Sequence, residues 1–253
     1  MSSRYRAVHR GRLFNAMWPF TRYLFTNLTV AAAFVLFFIL NRTRVIGRAG
    51  LCRRKNTLLL SNHQSMIDSF VVGMCAYYPY SWLKPYLIPW NPAAEENFYR
   101  TWWLAWLADQ WKCIPIREGR RDRKALYRMM HALREGTMIL FPEGTRSRDG
   151  RVGPGRPGAG LVALGNHPVL VPVAIDGMDR VLPVGNRLPR LGQRVYVYYG
   201  RPVDYSDLLD RPRSKHTAQE LVDRTMTIID RQHRAIRRLR NRTRRVRGGR
   251  TGS

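Results

Sequence analysis

Acidic residues are scarce in this chain of 253: Asp and Glu total 17 against 44 Lys and Arg, a formal net charge of +27. Lysine is scarce as well. It occurs only at Lys55, Lys84, Lys112, Lys124 and Lys215, so nearly all of the positive charge is arginine. Such a field favours polyanions, whether nucleic acid, anionic lipid surfaces or phosphorylated substrates, although part of it is a solvated surface. Cysteine is limited to Cys52, Cys75 and Cys113, far apart and odd in number. With no C-x-x-C pair, neither a disulfide framework nor a zinc site is suggested, and reduced thiols in the cytosol are the simplest reading. His9, His63, His131, His167, His216 and His233 also lack metal-ligand spacing, so no metal is expected. There is no G-x-S-x-G nucleophile elbow, no internal repeat and no nucleic-acid fold signature. An apolar share of 45% is enough to build a core.

One long hydrophobic run is present, Tyr23 to Leu40. A bilayer crossing needs about 20 residues, so this run is of roughly sufficient length. The run does not read as an ordinary secretory signal, because its core starts late and Asn41-Arg42-Thr43-Arg44 stands where a small-residue cleavage site would be. Basic residues flank it on both sides, with Arg4, Arg6, Arg10, Arg12 and Arg22 before it and Arg42, Arg44, Arg48, Arg53, Arg54 and Lys55 after it. Since positive flanks prefer the cytoplasm, a re-entrant or in-plane segment keeps both clusters inside, whereas a single pass strands one outside. Asn27 and Thr29 interrupt the run and are expected to mark a bend.

Beyond this segment, short apolar runs alternate with longer periodic ones. Strands are expected at Thr57 to Leu60, Cys113 to Ile116, Thr137 to Phe141, Val169 to Ile175 and Arg194 to Tyr199, with helices over residues 65–77 and 122–134 and from Leu161. This alternation predicts an α/β fold, a sheet flanked by helices. Thr217-Ala218-Gln219-Glu220 has the form of a capping box ahead of a last helix. No acidic residue follows Asp230, and the terminal Gly-Gly-Arg-Thr-Gly-Ser reads as disordered. The chain thus divides into a membrane-associating segment (1–49), an α/β domain (50–230) and an arginine-rich tail (231–253).

Two segments carry chemistry. The first is Asn62-His63-Gln64-Ser65-Met66-Ile67-Asp68. In one unbroken α-helix, His63 and Asp68 would lie about 140° apart, so they meet only if His63 sits in the loop before a helix and Asp68 in its opening turn. Asp68 would then fix the imidazole tautomer and leave the other nitrogen to take a proton. A structural His–Asp cap is the competing reading. The second segment is Phe141-Pro142-Glu143-Gly144-Thr145-Arg146-Ser147, a strand ending in a Pro/Gly turn. Arg146 can fork onto phosphate, Thr145 and Ser147 can donate hydroxyls, and turn amides such as that of Gly144 add donors. Glu143 suits such a site if it holds an arginine or accepts from a glycerol hydroxyl. An ordinary turn is the alternative.

Taken together and in this order, the segments resemble the glycerolipid acyltransferase family typified by 1-acyl-sn-glycerol-3-phosphate acyltransferase. Asn62, His63 and Asp68 match its N-H-x-x-x-x-x-D block in outline, and Phe141 to Ser147 match its F-P-E-G-T-R-S block without a departure. Ile114-Pro115-Ile116-Arg117 is similar to a second block, apart from Pro115, and Val171-Pro172-Val173 to a fourth. The resemblance covers roughly residues 50 to 205. Lys84 to Trp111 departs from the family pattern, which bears on acyl-chain and acceptor preference. The segment Phe98 to Trp111 reads as an ordinary core helix, as acyl-chain packing or as a membrane-interface element.

The resemblance implies a glycerol-3-phosphate acyltransferase-like fold and direct acyl transfer from acyl-CoA or acyl carrier protein to a lysophospholipid, with no cofactor and no acyl-enzyme. The implied acceptor is 1-acylglycerol 3-phosphate and the product phosphatidic acid. It further implies His63 as general base, Asp68 as its support, and Arg117, Glu143, Gly144, Thr145, Arg146 and Ser147 as substrate-binding residues. Asn62 and Pro172 shape the site. The expected location is the cytoplasmic face of the cell membrane, held by anionic lipids, as a monotopic or single-pass protein. Alternatives are another lyso-lipid acceptor, such as a lyso-ornithine lipid, or a non-catalytic basic protein binding anionic lipid or nucleic acid; nucleic acid is not expected.

Overall fold

A computed structural model describes residues 11–117 and 122–248. Seven strands occur among them: β1 (Arg42–Ile46), β2 (Thr57–Ser61), β3 (Asn91–Ala94), β4 (Cys113–Ile116), β5 (Thr137–Leu140), β6 (Val169–Asp176) and β7 (Arg194–Tyr199). Five form a mixed sheet in the order β1-β7-β6-β2-β5, parallel except for the β6–β7 pair. β3 and β4 form a separate parallel pair. Trp90 joins the two sheets, because its N–H donates to Thr137 O at 2.9 Å and its carbonyl accepts from Ile139 N at 3.0 Å. The C-terminal ends of β2, β4 and β5 therefore face one edge, where ligands bind in open α/β sheets.

The core follows the two-residue period of a strand. Leu58 and Leu60 of β2, Met138 and Leu140 of β5, and Leu170 and Ala174 of β6 face one side. Leu59, Ile139, Val171, Val173 and Ile175 face the other. Both faces are covered, which is why β2 reads as one unbroken apolar run with every residue buried. The first side packs against α4 (Arg123–Glu135), α5 (Gly158–Asn166) and α6 (Lys215–Gly248). The second packs against α2 (Asp68–Tyr77) and part of α1 (Arg12–Phe34). The Trp-rich run is helical as α3 (Trp102–Gln110).

Four expectations are corrected. First, α1 does not bend at Asn27 or Thr29. Their side chains donate back to the carbonyls of Tyr23 (2.9 Å) and Phe25 (2.8 Å), which absorbs the polar groups without breaking the helix. The irregularity comes later, as a π-turn over Val35–Ile39. Second, the helix expected from residue 65 begins at Asp68, since the 64–67 loop is held open by that carboxylate. Third, the cap of α6 is Ser214, whose hydroxyl accepts from Thr217 N at 3.1 Å, while Thr217 Oγ1 donates to Pro212 O. Fourth, the arginine-rich run is not a separate tail from Asp230, because α6 continues unbroken to Gly248; residues 249–253 lie outside the described residues. The sheet also begins earlier than expected, at Arg42.

α1 lies against the body. Trp18 Nε1 donates to Asp109 O (3.0 Å), Thr26 Oγ1 to Gln110 O (2.9 Å), and Trp111 Nε1 to Thr29 Oγ1 (3.0 Å). The opposite face of α1 carries Leu13, Met17, Phe20, Leu24 and Leu28, all exposed, with Leu13 at 75% and Phe20 at 68%. The helix with its π-turn, Arg12–Ile39, is long and apolar enough to cross a membrane.

Candidate active site

The chain leaves β2 through a turn that places His63 outside the sheet and Asp68 at the head of α2. His63 Nδ1 lies 2.8 Å from Asp68 Oδ2. The same oxygen accepts the backbone N–H groups of Gln64 (2.6 Å) and Ser65 (2.8 Å). An ionised carboxylate only accepts, so Nδ1 is the donor and the free electron pair is on Nε2. Nε2 has no protein partner among the described residues, and the His63 side chain is 19% exposed whereas Asp68 is fully buried. Phe141 stacks on the imidazole at 4.2 Å between ring centres and 17° between planes, which restricts its rotation.

Neighbouring elements fix the loop. Asn62 clasps β6 with its amide, accepting from Ile175 N (2.8 Å) and donating to Ile175 O (3.0 Å). Gln64 donates to Gly150 O and accepts from Met178 N, each at 3.1 Å. Ser65 Oγ donates to Leu182 O at 3.0 Å, so the hydroxyl beside the histidine is engaged structurally. Gln64 and Ser65 occupy unspecified places in the sequence motif, and only their buried partners reveal what they do.

The turn after β5 wraps around the same histidine. Glu143 Oε1 accepts from His63 N at 3.1 Å, and Ser147 N donates to His63 O at 2.7 Å. Burial pushes the Glu143 carboxyl above its ordinary pKa, opposed by the backbone N–H groups of His63 and Gly153. Gly144 has φ +70°, a left-handed conformation that costs glycine little. Gly144 and Thr145 are exposed, and Arg146 and Ser147 are half-buried. Ser147 Oγ donates to Asp149 Oδ1 at 3.0 Å. No carboxylate pairs with Arg146 among the described residues.

The remaining expected residues stand apart. Arg117 follows β4, beyond β5 and β3 from His63, and its Nε donates to Glu95 Oε2 at 2.9 Å. It shares the C-terminal edge of the sheet, but a strand spacing of about 4.8 Å puts β4 roughly 10 Å from β5. Pro172 is buried in β6 opposite Leu60, where its carbonyl accepts from Gly200 N at 2.9 Å. It supports the sheet beneath the site and does not line the turn. Among the described residues, no group of three or more His, Cys, Asp or Glu side chains is placed to hold a metal.

A half-buried histidine tied to a buried carboxylate beside an arginine-bearing turn is an arrangement capable of general-base chemistry next to an anion. The profile of the family described as Acyltransferase matches residues 42–176, from the first residue of β1 to the last of β6. The chain belongs to the acyltransferase family. Among curated relatives it is 28% identical over 164 residues to 1-acyl-sn-glycerol-3-phosphate acyltransferase BAT2, chloroplastic, of Brassica napus, covering 62% of this chain and 44% of that protein. It is 34% identical over 131 residues to a 1-acyl-sn-glycerol-3-phosphate acyltransferase of Limnanthes douglasii, covering 49% and 42%. The chain thus spans less than half the length of these relatives. The crystal structure of the 1-acyl-sn-glycerophosphate (LPA) acyltransferase PlsC from Thermotoga maritima superposes with a TM-score of 0.59 at 22% identity, covering 87% of this chain and 83% of that one. The two acyltransferase-family chains share a fold, and the matched region encloses both sequence motifs.

Proposed function

We propose that this protein transfers a fatty acyl group from acyl-CoA or acyl carrier protein to the free hydroxyl of a lysophospholipid, with 1-acylglycerol 3-phosphate as acceptor and phosphatidic acid as product. The observation that carries this reading is the 2.8 Å His63–Asp68 contact, with Nε2 unengaged beside a turn bearing Arg146. His63 Nε2 takes the acceptor's hydroxyl proton as that oxygen attacks the thioester carbonyl. The tetrahedral intermediate expels the thiolate, and the imidazolium returns its proton to give free thiol. Asp68 holds the tautomer and stabilises the imidazolium. General-base assistance contributes typically about 10²–10⁴-fold, and positioning supplies much of the rest. Arg146 binds the acceptor phosphate. Arg117, held to Glu95 further along the same edge, receives a more remote part of one substrate. The acceptor assignment is supported by the printed names of the curated relatives.

The same reading places the protein at the cytoplasmic face of the cell membrane. α1 is covered along one side by the body, with Trp18, Thr26, Asn27 and Ala33 buried, and its exposed side is an apolar stripe. A helix packed lengthwise on a globular body fits an in-plane position in the lipid interface. The lysophospholipid then reaches the site from the leaflet and the thioester from the cytosol.

The decisive experiment incubates purified protein with acyl-CoA or acyl carrier protein thioester and a panel of lyso-lipids, including a lyso-ornithine lipid, and identifies products by mass. Acylation of 1-acylglycerol 3-phosphate supports the reading; acylation of the ornithine lipid alone replaces the acceptor. Arg146→Ala should raise the acceptor KM about tenfold or more, with Lys restoring only part, because an ammonium cannot fork onto phosphate. Reporter fusions should find residue 1 and the catalytic body on the same side of the membrane.

A further inference from the structure

The Gly/Pro-rich segment 150–157 carries no residue of either motif, yet it lies along the turn that encloses His63. Gly150 O accepts from Gln64 Nε2 at 3.1 Å. The backbone N–H of Gly153 points at the Glu143 carboxylate. Arg156 N donates to Pro142 O at 2.8 Å. Beyond that anchor the Arg156 side chain crosses Gly144: a Cβ placed on that glycine would stand 3.4 Å from Arg156 Cδ and Nε and 3.6 Å from Cζ. The exposed Arg156 therefore adds a further guanidinium to the turn that already holds the half-buried Arg146.

The two carboxylates on this turn, Glu143 and Asp149, are engaged elsewhere. Glu143 is buried and turned to the backbone of His63 and Gly153. Asp149 Oδ1 accepts from Ser147 Oγ and Arg151 N, and its Oδ2 lies 3.6 Å from Arg151 Nε. The turn thus presents the guanidinium groups of Arg146, Arg148 and Arg156 with no carboxylate partner among the described residues. Such a surplus favours a phosphate monoester, which carries about −1.5 to −2 at neutral pH, over a phosphodiester with its single charge or a zwitterionic ornithine headgroup with none in net.

We propose that Arg156 is a specificity-determining residue which, with Arg146, selects acceptors bearing a terminal phosphate monoester. The proposal rests on the acyl-transfer reading above and names the headgroup class it requires. Acyl-CoA also carries a phosphate monoester, on its ribose, but that group lies at the far end of the pantetheine arm from the thioester. In 1-acylglycerol 3-phosphate, only the C2–C3–O3 linkage separates the reacting hydroxyl from phosphorus. The turn holds His63 from both sides, through Glu143 and Ser147, so a phosphate bound on it belongs to the acceptor.

The test measures acceptor and donor kinetics for the full chain in detergent, comparing wild type with Arg156→Met and Arg156→Lys. Met keeps the aliphatic stem over Gly144 and removes the charge. Acceptors are 1-acylglycerol 3-phosphate and lysophosphatidylglycerol, a diester; donors are acyl-CoA and its 3′-dephospho form. Arg156→Met should raise the KM for the monoester about 10- to 100-fold, with the diester KM, the acyl-CoA KM and kcat each changing less than about threefold, and Lys should recover part of the loss. An unchanged monoester KM, or equal rises for monoester and diester, overturns the assignment. A rise confined to acyl-CoA that disappears with the dephospho donor moves Arg156 to the donor site. If wild type acylates only the diester or another non-monoester lyso-lipid, the acceptor reading itself falls; if it acylates the monoester and Arg156→Met matches it, Arg156 alone is excluded.

Discussion

Two buried aspartates sit near the C-terminal ends of adjacent strands, each facing a histidine, and they do opposite things. Asp68, following β2, holds His63 at 2.8 Å, and that ring remains partly open to solvent. Asp176, ending β6, lies 3.6 Å from Nε2 of His233, which is 2% exposed. Arg240 and Arg237 close on the same Asp176 carboxylate. The charge of Asp68 therefore remains available to an imidazolium, whereas that of Asp176 is taken up by guanidinium groups. A His–Asp pair becomes a base only where the distal nitrogen is reachable and the carboxylate is not already neutralised. His233, Arg237 and Arg240 are spaced four and three residues apart on one face of α6, so the second pair fastens that helix to β6.

The sharpest way to break this contrast is to remove each histidine. His63→Ala should reduce turnover about 10²–10⁴-fold or more with the thermal midpoint nearly unmoved. His233→Ala should lower the midpoint and leave turnover per folded molecule within a few-fold. Equal activity losses in both would end the distinction. Next come the carboxylates. Asp176→Asn leaves the buried Arg240 uncompensated and should cost about 3–5 kcal/mol of stability in denaturant titrations. Asp68→Asn should act mainly on kcat by disturbing the tautomer, so the two variants separate on a plot of stability against activity.

The smallest effect concerns Glu143, a carboxylate against the same His63 backbone but without a guanidinium partner among the described residues. Burial raises its pKa, so the folded state binds this proton more tightly than the unfolded one. Wild-type stability should accordingly fall as pH rises from the ordinary carboxylate value through the raised one, and Glu143→Gln should lack that contribution. The midpoint difference, variant minus wild type, should grow over this window and level off above it. A difference independent of pH would mean that Glu143 titrates alike in both states.

Much of the His63 site was legible because its determinants are local. An apolar strand, a polar loop and an aspartate at a helix start confine His63 and Asp68 to one meeting point, and the Pro/Gly turn after β5 is equally self-announcing. What the sequence concealed depends on distant partners. β1 reads as a basic flank because alternating Arg42 and Arg44 tolerate an edge position only once paired with β7. Asn91-Pro92-Ala93-Ala94 has poor strand propensity and is a strand through its register with β4. Arg237 and Arg240, within the run after Asp230, look solvated until Asp176, more than fifty residues earlier, supplies their counter-charge. Arg156 is set within glycines and prolines, and only the fold of that loop brings it across Gly144.

The join between α1 and the sheet has a mechanical consequence. After the π-turn, Asn41 donates to Leu36 O and accepts from Gln193 N, Gly192 N donates to Leu40 O, and Arg42 N donates to Gln193 O. Helix and edge strand are thus stitched to the same loop with no slack between them. A domain on a tether samples a range of heights above its support; this one stands on a fixed footing. Under the proposed in-plane placement of α1, His63 is held at one level relative to the lipid surface, and an acceptor must present its hydroxyl at that level. Shortening or lengthening the junction at Leu40–Asn41 would reset the level without touching a residue of the site.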